Sequence, residues 1–118
     1  MPDVIVVGAG NAAICAALAA REAGADVLVL EKADEGERGG NTFFTGGGFR
    51  FPYNGLAEIR GLIPDLSDAE VDRIEVGSYP ASAMREDLYR VTEGHADPTL
   101  VDHLIENAYP TAQWMREF

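Results

Sequence analysis

The run Asp3-Val-Ile-Val-Val-Gly8-Ala-Gly10-Asn-Ala-Ala13 constrains this chain more than any other stretch. Val4 to Val7 is an unbroken β-branched run, as expected of a parallel strand covered on both faces, and it enters G-x-G-x-x-A directly. Asn11 to Ala23 then reads as an Ala-rich helix with Ile14 and Leu18 on one face, and Gly24 is its expected C′ residue. Val27-Leu-Val-Leu30 forms a second strand and leads straight into Glu31. Strand, glycine turn, helix, strand and acid follow the order in which a βαβ unit holds a dinucleotide. Gly8 permits the tight turn, Gly10 lets backbone approach a pyrophosphate, and Ala13 takes the third position, where helix and strand pack closely. The helix N-terminus offers unpaired N–H groups and partial positive charge to phosphates. Glu31 stands where a carboxylate accepts hydrogen bonds from ribose hydroxyls.

Glu31 would repel a 2′-phosphate, which disfavours NADP and leaves NAD and FAD both open. The next distinctive stretch, residues 36 to 48, carries six glycines in thirteen positions. Such a backbone takes positive φ or lets something approach closely. Gly39-Gly40 is followed by Asn41 and Thr42, turn residues whose side chains can donate to a phosphate or a ring. Thr45-Gly46-Gly47-Gly48 is a chain able to lie flat beside a planar cofactor. Phe43 and Phe44 between them argue against a plain solvated linker.

Together, Gly8-Ala-Gly-Asn-Ala-Ala13, Glu31-Lys32, Gly39-Gly-Asn-Thr42 and Gly46-Gly-Gly48 resemble the N-terminus of the fumarate reductase/succinate dehydrogenase flavoprotein family. Gly48-Phe-Arg-Phe51, Pro64-Asp-Leu-Ser-Asp68, Arg90-Val-Thr-Glu-Gly94 and Trp114-Met115 are similar to its tricarballylate dehydrogenase branch. The resemblance implies an α/β fold: a Rossmann-type FAD-binding βαβ unit and flavin loop over residues 1–51, then a mostly helical continuation over 52–118. It implies that Gly8, Gly10, Asn11, Ala12 and Ala13 face the FAD pyrophosphate and that Glu31, with Lys32 beside it, binds the adenosine ribose. Gly39, Gly40, Asn41, Thr42, Thr45, Gly46, Gly47 and Gly48 would line the pyrophosphate and flavin ring. Membrane-bound members join a histidine just before the Thr of this turn covalently to the flavin. Asn41 stands there in this chain, which implies FAD held non-covalently.

Hydride transfer between flavin and a carbon beside a carboxylate is the chemistry the resemblance implies, with tricarballylate and cis-aconitate favoured and fumarate and succinate next. The carboxylate clamp and the proton-moving arginine of the family lie hundreds of residues further on, so no catalytic residue is assigned. Arg38 and Arg50 flank the glycine loop and could touch an anion; solvated arginines or surface ion pairs account for them equally well. A non-catalytic dinucleotide-binding module is a second reading. An NAD-binding Rossmann domain is a third, against which the glycine loop argues.

Beyond residue 52 the chain reads as helices and loops. Ser67-Asp-Ala-Glu70 is a capping box. Pro80 to Glu93 suits a helix with Met84, Leu88 and Val91 on one face and Gly94 as its stop. Pro98 opens a helix to about Ala108 with Leu100, Leu104 and Ile105 apolar, and Pro110 begins another with Trp114 toward the core. The chain stops at Phe118 in mid-pattern, which reads as an N-terminal fragment of a larger flavoprotein, with sheet edges and apolar helix faces uncovered.

The 118 residues carry 9 basic and 20 acidic side chains, a net charge of −11. Four basic and seven acidic residues fall in the first 50, five and thirteen in the remaining 68, so most negative charge lies away from the phosphate site. Without a basic patch, nucleic acid and anionic membranes are poor partners. No signal peptide or spanning segment is recognisable. The single cysteine, Cys15, allows no intrachain disulfide and fits a reducing, cytoplasmic setting. Neither His95 nor His103 has a partner at metal-ligand spacing. For the full-length protein, the resemblance implies a small polycarboxylate substrate and an electron-transfer partner.

Overall fold

A computed structural model describes residues 1–117; the expectation drawn from Phe118 lies outside the described residues. The chain divides into two compact units, Met1–Phe49 and the stretch from Arg50 onward.

In the first unit, β1 (Val4–Val7) and β2 (Val27–Leu30) pair in parallel, Val4 opposite Val27 through Val7 opposite Leu30. The pair is clamped at its start: Asp3 N–H donates to the Asp26 carbonyl at 2.8 Å, and Asp26 N–H to Asp3 Oδ2 at 2.9 Å. Between the strands lies α1 (Asn11–Glu22). It ends in a Schellman motif, with Gly24 N–H on the Arg21 carbonyl and Ala25 N–H on the Ala20 carbonyl. Gly24 takes φ +88°, the left-handed cap the sequence predicts. Ala17 is buried on α1, where a small side chain suits close packing of helix and strand. The strands themselves depart from expectation. Ile5, Val7, Leu28 and Leu30 are exposed, because two strands and one helix supply no cover for both faces of so short a sheet.

Residues 39–48 fold as three successive turns, each closed by an N–H three residues on: Thr42 to the Gly39 carbonyl, Thr45 to that of Thr42, Gly48 to that of Thr45. Gly40–Phe44 forms a 3-10 helix within this run.

The second unit contains α2 (Leu56–Leu62), α3 (Asp68–Val71), α4 (Ala81–Val91) and α5 (Pro98–Met115). An antiparallel bridge joins Tyr53 and Tyr79. Ser67 opens α3 through the expected capping box: its N–H donates to Glu70 Oε2 at 2.9 Å while Glu70 N–H returns to Ser67 Oγ. The core is Met84 on α4 with Val101 and Ile105 on α5, packed by Tyr79, Leu88, Tyr89 and Ala96. Val91, Leu100 and Leu104, read from the sequence as apolar face residues, are exposed; Val101, Ile105 and Ala108 form the buried stripe of α5 instead. The helix is rotated so that i, i+4, i+7 begins at Val101, where a β-branched side chain fits against Met84.

Two helix ends differ from expectation. α4 stops at Val91, and its left-handed cap position is Glu93 (φ +53°), one residue before Gly94. Glu93 N–H meets the Arg90 carbonyl and Gly94 N–H the Tyr89 carbonyl, again a Schellman pattern. α5 is continuous through Pro110, where a new helix was expected. The bond Pro110 cannot donate is outweighed by tertiary contacts on either side of it. Tyr109 O–H donates to the Glu58 carbonyl at 2.8 Å, Tyr109 packs edge-on against Phe51, and Arg116 donates to the Gly61 carbonyl at 2.9 Å. These contacts also account for a glycine inside α2, since a Cβ at Gly61 would lie 3.0 Å from the Tyr109 hydroxyl.

Replacing Glu93 by glycine relieves left-handed strain at a non-glycine cap, partly offset by the freer unfolded chain. Denaturant unfolding of Glu93→Gly should show a gain of about 0.5–1 kcal/mol. Met84→Ala, at a site only 2% exposed, should cost about 2–5 kcal/mol in the same assay.

Candidate functional site

The end of β2 places Glu31 beneath the first glycine turn. Gly8 N–H donates to the Leu30 carbonyl at 2.6 Å, extending the strand pairing by one residue and bringing Ala9 over Glu31. Ala9 N–H then donates to Glu31 Oε2 at 2.8 Å, and Ala33 N–H to Oε1 at 2.9 Å. The backbone N–H of Ala33, then that of Ala9, hold the Glu31 carboxyl below its usual pKa, with smaller contributions from Lys32 and Gly39. A carboxylate has about four lone-pair positions, so these bonds leave it able to accept more. Sequence reasoning singled out Glu31 and missed its two amide donors.

At the start of α1 the N-cap is Gly10, which brings no side chain to cap the helix. The cap comes from the second glycine turn: Asn11 N–H donates to Thr42 Oγ1 at 3.1 Å. Ala12 and Ala13 supply the remaining first-turn amides, groups that a helix cannot satisfy internally. Gly8 takes φ +109°, a conformation that strains an L side chain, as the turn reading requires. Gly10 has a further constraint. A Cβ there would stand 3.2 Å from the Gly39 carbonyl oxygen and 3.4 Å from Thr42 Oγ1. The first two glycine motifs of the sequence, 31 residues apart, thus meet backbone to backbone.

Gly8, Gly10, Asn11, Ala13, Glu31, Gly39 and Thr42 are therefore gathered around one helix N-terminus. Gly39, Gly40, Gly46 and Gly47 all take positive φ, as six glycines in thirteen residues suggested, while Gly48 does not. A Cβ at Gly40, Gly46 or Gly47 would meet nothing within 4 Å, so that backbone is open to approach. Thr45 uses its hydroxyl inside the loop, donating to the Thr42 carbonyl and accepting from Gly47 N–H. Lys32 and Asn41 are exposed. Phe43 and Phe44 meet edge to face with centroids 5.4 Å apart. Both are exposed, and with Gly36, Glu37 and Gly40 they line an open hollow of about 490 Å³.

The two flanking arginines are engaged elsewhere. Arg38 lies 3.8 Å from Glu35 in a mostly exposed pair. Arg50, in the second unit, contacts Asp87 at 3.3 Å and Tyr79 through its hydroxyl and ring. Asp87 also accepts from Arg90 and from the Tyr79 hydroxyl, each at 2.7 Å, and these bonds, Arg90's first, keep its carboxyl below the usual range.

Because the folded-state pKa of Glu31 is depressed, its contribution to stability is present above the ordinary glutamate value and is lost as pH falls through the lower folded value. Glu58, Glu70 and Asp87 are shifted the same way, so wild type alone does not isolate it. The difference in unfolding midpoint between wild type and Glu31→Gln should be constant near neutrality and shrink progressively below about pH 4.5.

Residues 3–118 match the family model described as FAD binding domain. Among curated proteins, the chain is 36% identical over 113 residues to the urocanate reductase of Eggerthella lenta, covering 96% of this chain and 16% of that protein. It is 53% identical over 68 residues to the digoxin reductase of the same organism, covering 57% of this chain and 12% of the relative. The cytochrome-type fumarate reductase of Shewanella frigidimarina is 29% identical over 115 residues, 96% of this chain and 17% of that one. The chain thus spans about one sixth of the length of such relatives. No solved structure matches it significantly. Among the described residues, no helix is long and apolar enough to cross a membrane. A glycine turn over an acid-tipped parallel strand pair, matched along nearly its whole length, makes this chain a member of the FAD binding domain family of flavoprotein oxidoreductases, with FAD as its cofactor.

Proposed function

We propose that the chain is the Rossmann-type FAD-binding part of a cytoplasmic oxidoreductase that moves a hydride between non-covalently held FAD and a small polycarboxylate. The observation that carries this reading is the convergence of Glu31, the Gly8–Gly10 turn, the α1 N-terminus and the Gly39–Thr42 turn in one place. These residues fit the cofactor: first-turn amides suit a pyrophosphate, spare carboxylate lone pairs suit ribose hydroxyls, and the open backbone at Gly40, Gly46 and Gly47 admits a close-lying ring.

In this reading Gly10, Ala12 and Ala13 donate backbone N–H groups to the pyrophosphate, aided by the positive end of α1. Gly8 shapes the turn and Asn11 belongs to it through its amide. Glu31 accepts from the adenosine ribose and repels a 2′-phosphate, with Lys32 alongside. Gly39, Gly40, Asn41, Thr42, Thr45, Gly46, Gly47 and Gly48 border the pyrophosphate and flavin. Bound FAD supplies the hydride chemistry itself. Asn41 offers no imidazole for a covalent flavin link.

Tricarballylate and cis-aconitate are the favoured substrate pair, on the strength of Gly48-Phe-Arg-Phe51, Pro64–Asp68, Arg90–Gly94 and Trp114-Met115. Two relatives are named for urocanate and fumarate, compounds with a carbon–carbon double bond beside a carboxylate, which supports the reaction class more than the substrate. An electron-transfer partner completes the cycle.

The intact protein should purify yellow, release FAD on acid precipitation, and melt at higher temperature with FAD than without it. Flavin that stays with the precipitate overturns the non-covalent assignment; a colourless protein unmoved by FAD overturns the reading and favours the NAD alternative. Tricarballylate should reduce an artificial acceptor in its presence. Turnover of urocanate or fumarate alone overturns the substrate assignment.

A further inference from the structure

The contact between Thr42 and the start of α1 is not explained by ligand binding, since it is made entirely within the protein. Asn11 N–H is one of the donors a helix leaves without an internal partner, and Thr42 Oγ1 takes it at 3.1 Å from 31 residues away. An N-cap side chain serves the second or third amide of a helix, so this first amide needs a partner from elsewhere, and Gly10 at the N-cap brings no side chain of its own. A Cβ at position 10 would press on the Gly39 carbonyl at 3.2 Å and on Thr42 Oγ1 at 3.4 Å, so the turn would have to give by a few tenths of an ångström. The glycine that leaves the helix uncapped therefore also makes room for the turn that caps it. Thr42 is placed for this by its own turn, with its N–H on the Gly39 carbonyl at 3.1 Å, and its side chain is half-buried.

We propose that Thr42 is a positioning residue: its hydroxyl caps α1 from the second glycine turn and locks the two turns into a single preassembled phosphate cradle. Asn11 N–H is thereby withdrawn from the set of phosphate donors, and the Gly39–Thr42 turn is held against Gly10 before any ligand arrives. The inference rests on the FAD reading for its functional consequence, and on contacts made within the chain for its geometry.

Two substitutions separate positioning from direct ligand contact. Thr42→Val keeps the shape and removes the acceptor; Thr42→Ser keeps the acceptor and removes a methyl group. Amide hydrogen exchange of Asn11 in the ligand-free intact protein, with Leu30 as an internal reference, is read beside the dissociation constant for FAD. We expect Thr42→Val to speed Asn11 exchange at least fivefold with Leu30 unchanged and to weaken FAD about tenfold, and Thr42→Ser to restore both to within twofold of wild type. Weaker FAD binding with unchanged Asn11 exchange assigns the hydroxyl to the ligand and overturns the proposal, as does no effect on either. If wild-type protein binds no FAD, the function reading fails separately. The cradle is then judged on Asn11 exchange alone, which unchanged in Thr42→Val overturns it.

Discussion

The site depends on one backbone hydrogen bond, that from Gly8 N–H to the Leu30 carbonyl at 2.6 Å. It is the last rung of the parallel pairing, and it fixes where the chain may turn. One residue further along each strand come Ala9 and Glu31, which the same rung brings face to face so that an amide meets a carboxylate at 2.8 Å. The turn can then enter α1 only with φ +109° at Gly8, which explains why glycine stands there. Strand register, turn geometry and the position of the acid are thus a single constraint expressed three times. A slip of one residue in the pairing would carry Glu31 to the other face of the sheet.

The first unit was legible in the sequence because its signals are local and repeated. The β-branched run, the glycine spacing, the Gly24 cap and the strand-ending acid all report the same βαβ arrangement. The meeting of Gly10 with Gly39 and Thr42 was not legible, since nothing in a glycine specifies what fills the space it leaves. In the second unit the capping box at Ser67 and the helix start at Pro98 were readable for the same local reason; the Asp97 cap, which accepts from Thr99 and Leu100 N–H, was not singled out. Failures came where tertiary contacts outvote propensity. Pro110 is a break by its covalent structure, yet Tyr109 and Arg116 tie the helix to α2 on both sides of it. At the end of α4 the expected Gly94 does take positive φ, +78°, but Glu93 before it does so too, at +53°, because the Schellman bonds set the cap one residue earlier. Leu100 and Val101 are adjacent and equally apolar, and only the partner, Met84, decides which of them is buried.

Electrostatics lead to the same reliance on backbone. The first unit, with the arginine that follows it, contains four basic residues. Arg21 donates to the Ala25 carbonyl at the far end of α1, Arg38 pairs with Glu35, and Arg50 is turned to Asp87. Lys32 is exposed. Among the described residues of the first unit, neither Arg21 nor Arg38 makes a contact with the α1 N-terminus, and oriented N–H groups and the helix dipole are what that end offers an anion. Such groups act at short range, so in the proposed site their alignment weighs more than net charge. An overall charge of −11 is compatible with that, because its acidic excess is concentrated beyond residue 50.

In the proposed reading, a site built from backbone amides and one carboxylate recognises what dinucleotides of one class share and carries no information about what the cofactor reduces or oxidises. The side chains that contribute, Glu31 and Thr42, hold backbone segments in place as hydrogen-bond acceptors. This separates two kinds of inference from the same 118 residues. The cofactor follows from the geometry and the family together, since the same contacts that shape the cradle also define what fits it. Substrate choice requires groups that touch a substrate, and the relatives, six times longer, have most of their length elsewhere. That proteins named for such different compounds are similar to this chain is what the proposed backbone-built cradle allows: it can be kept while everything that meets the substrate changes.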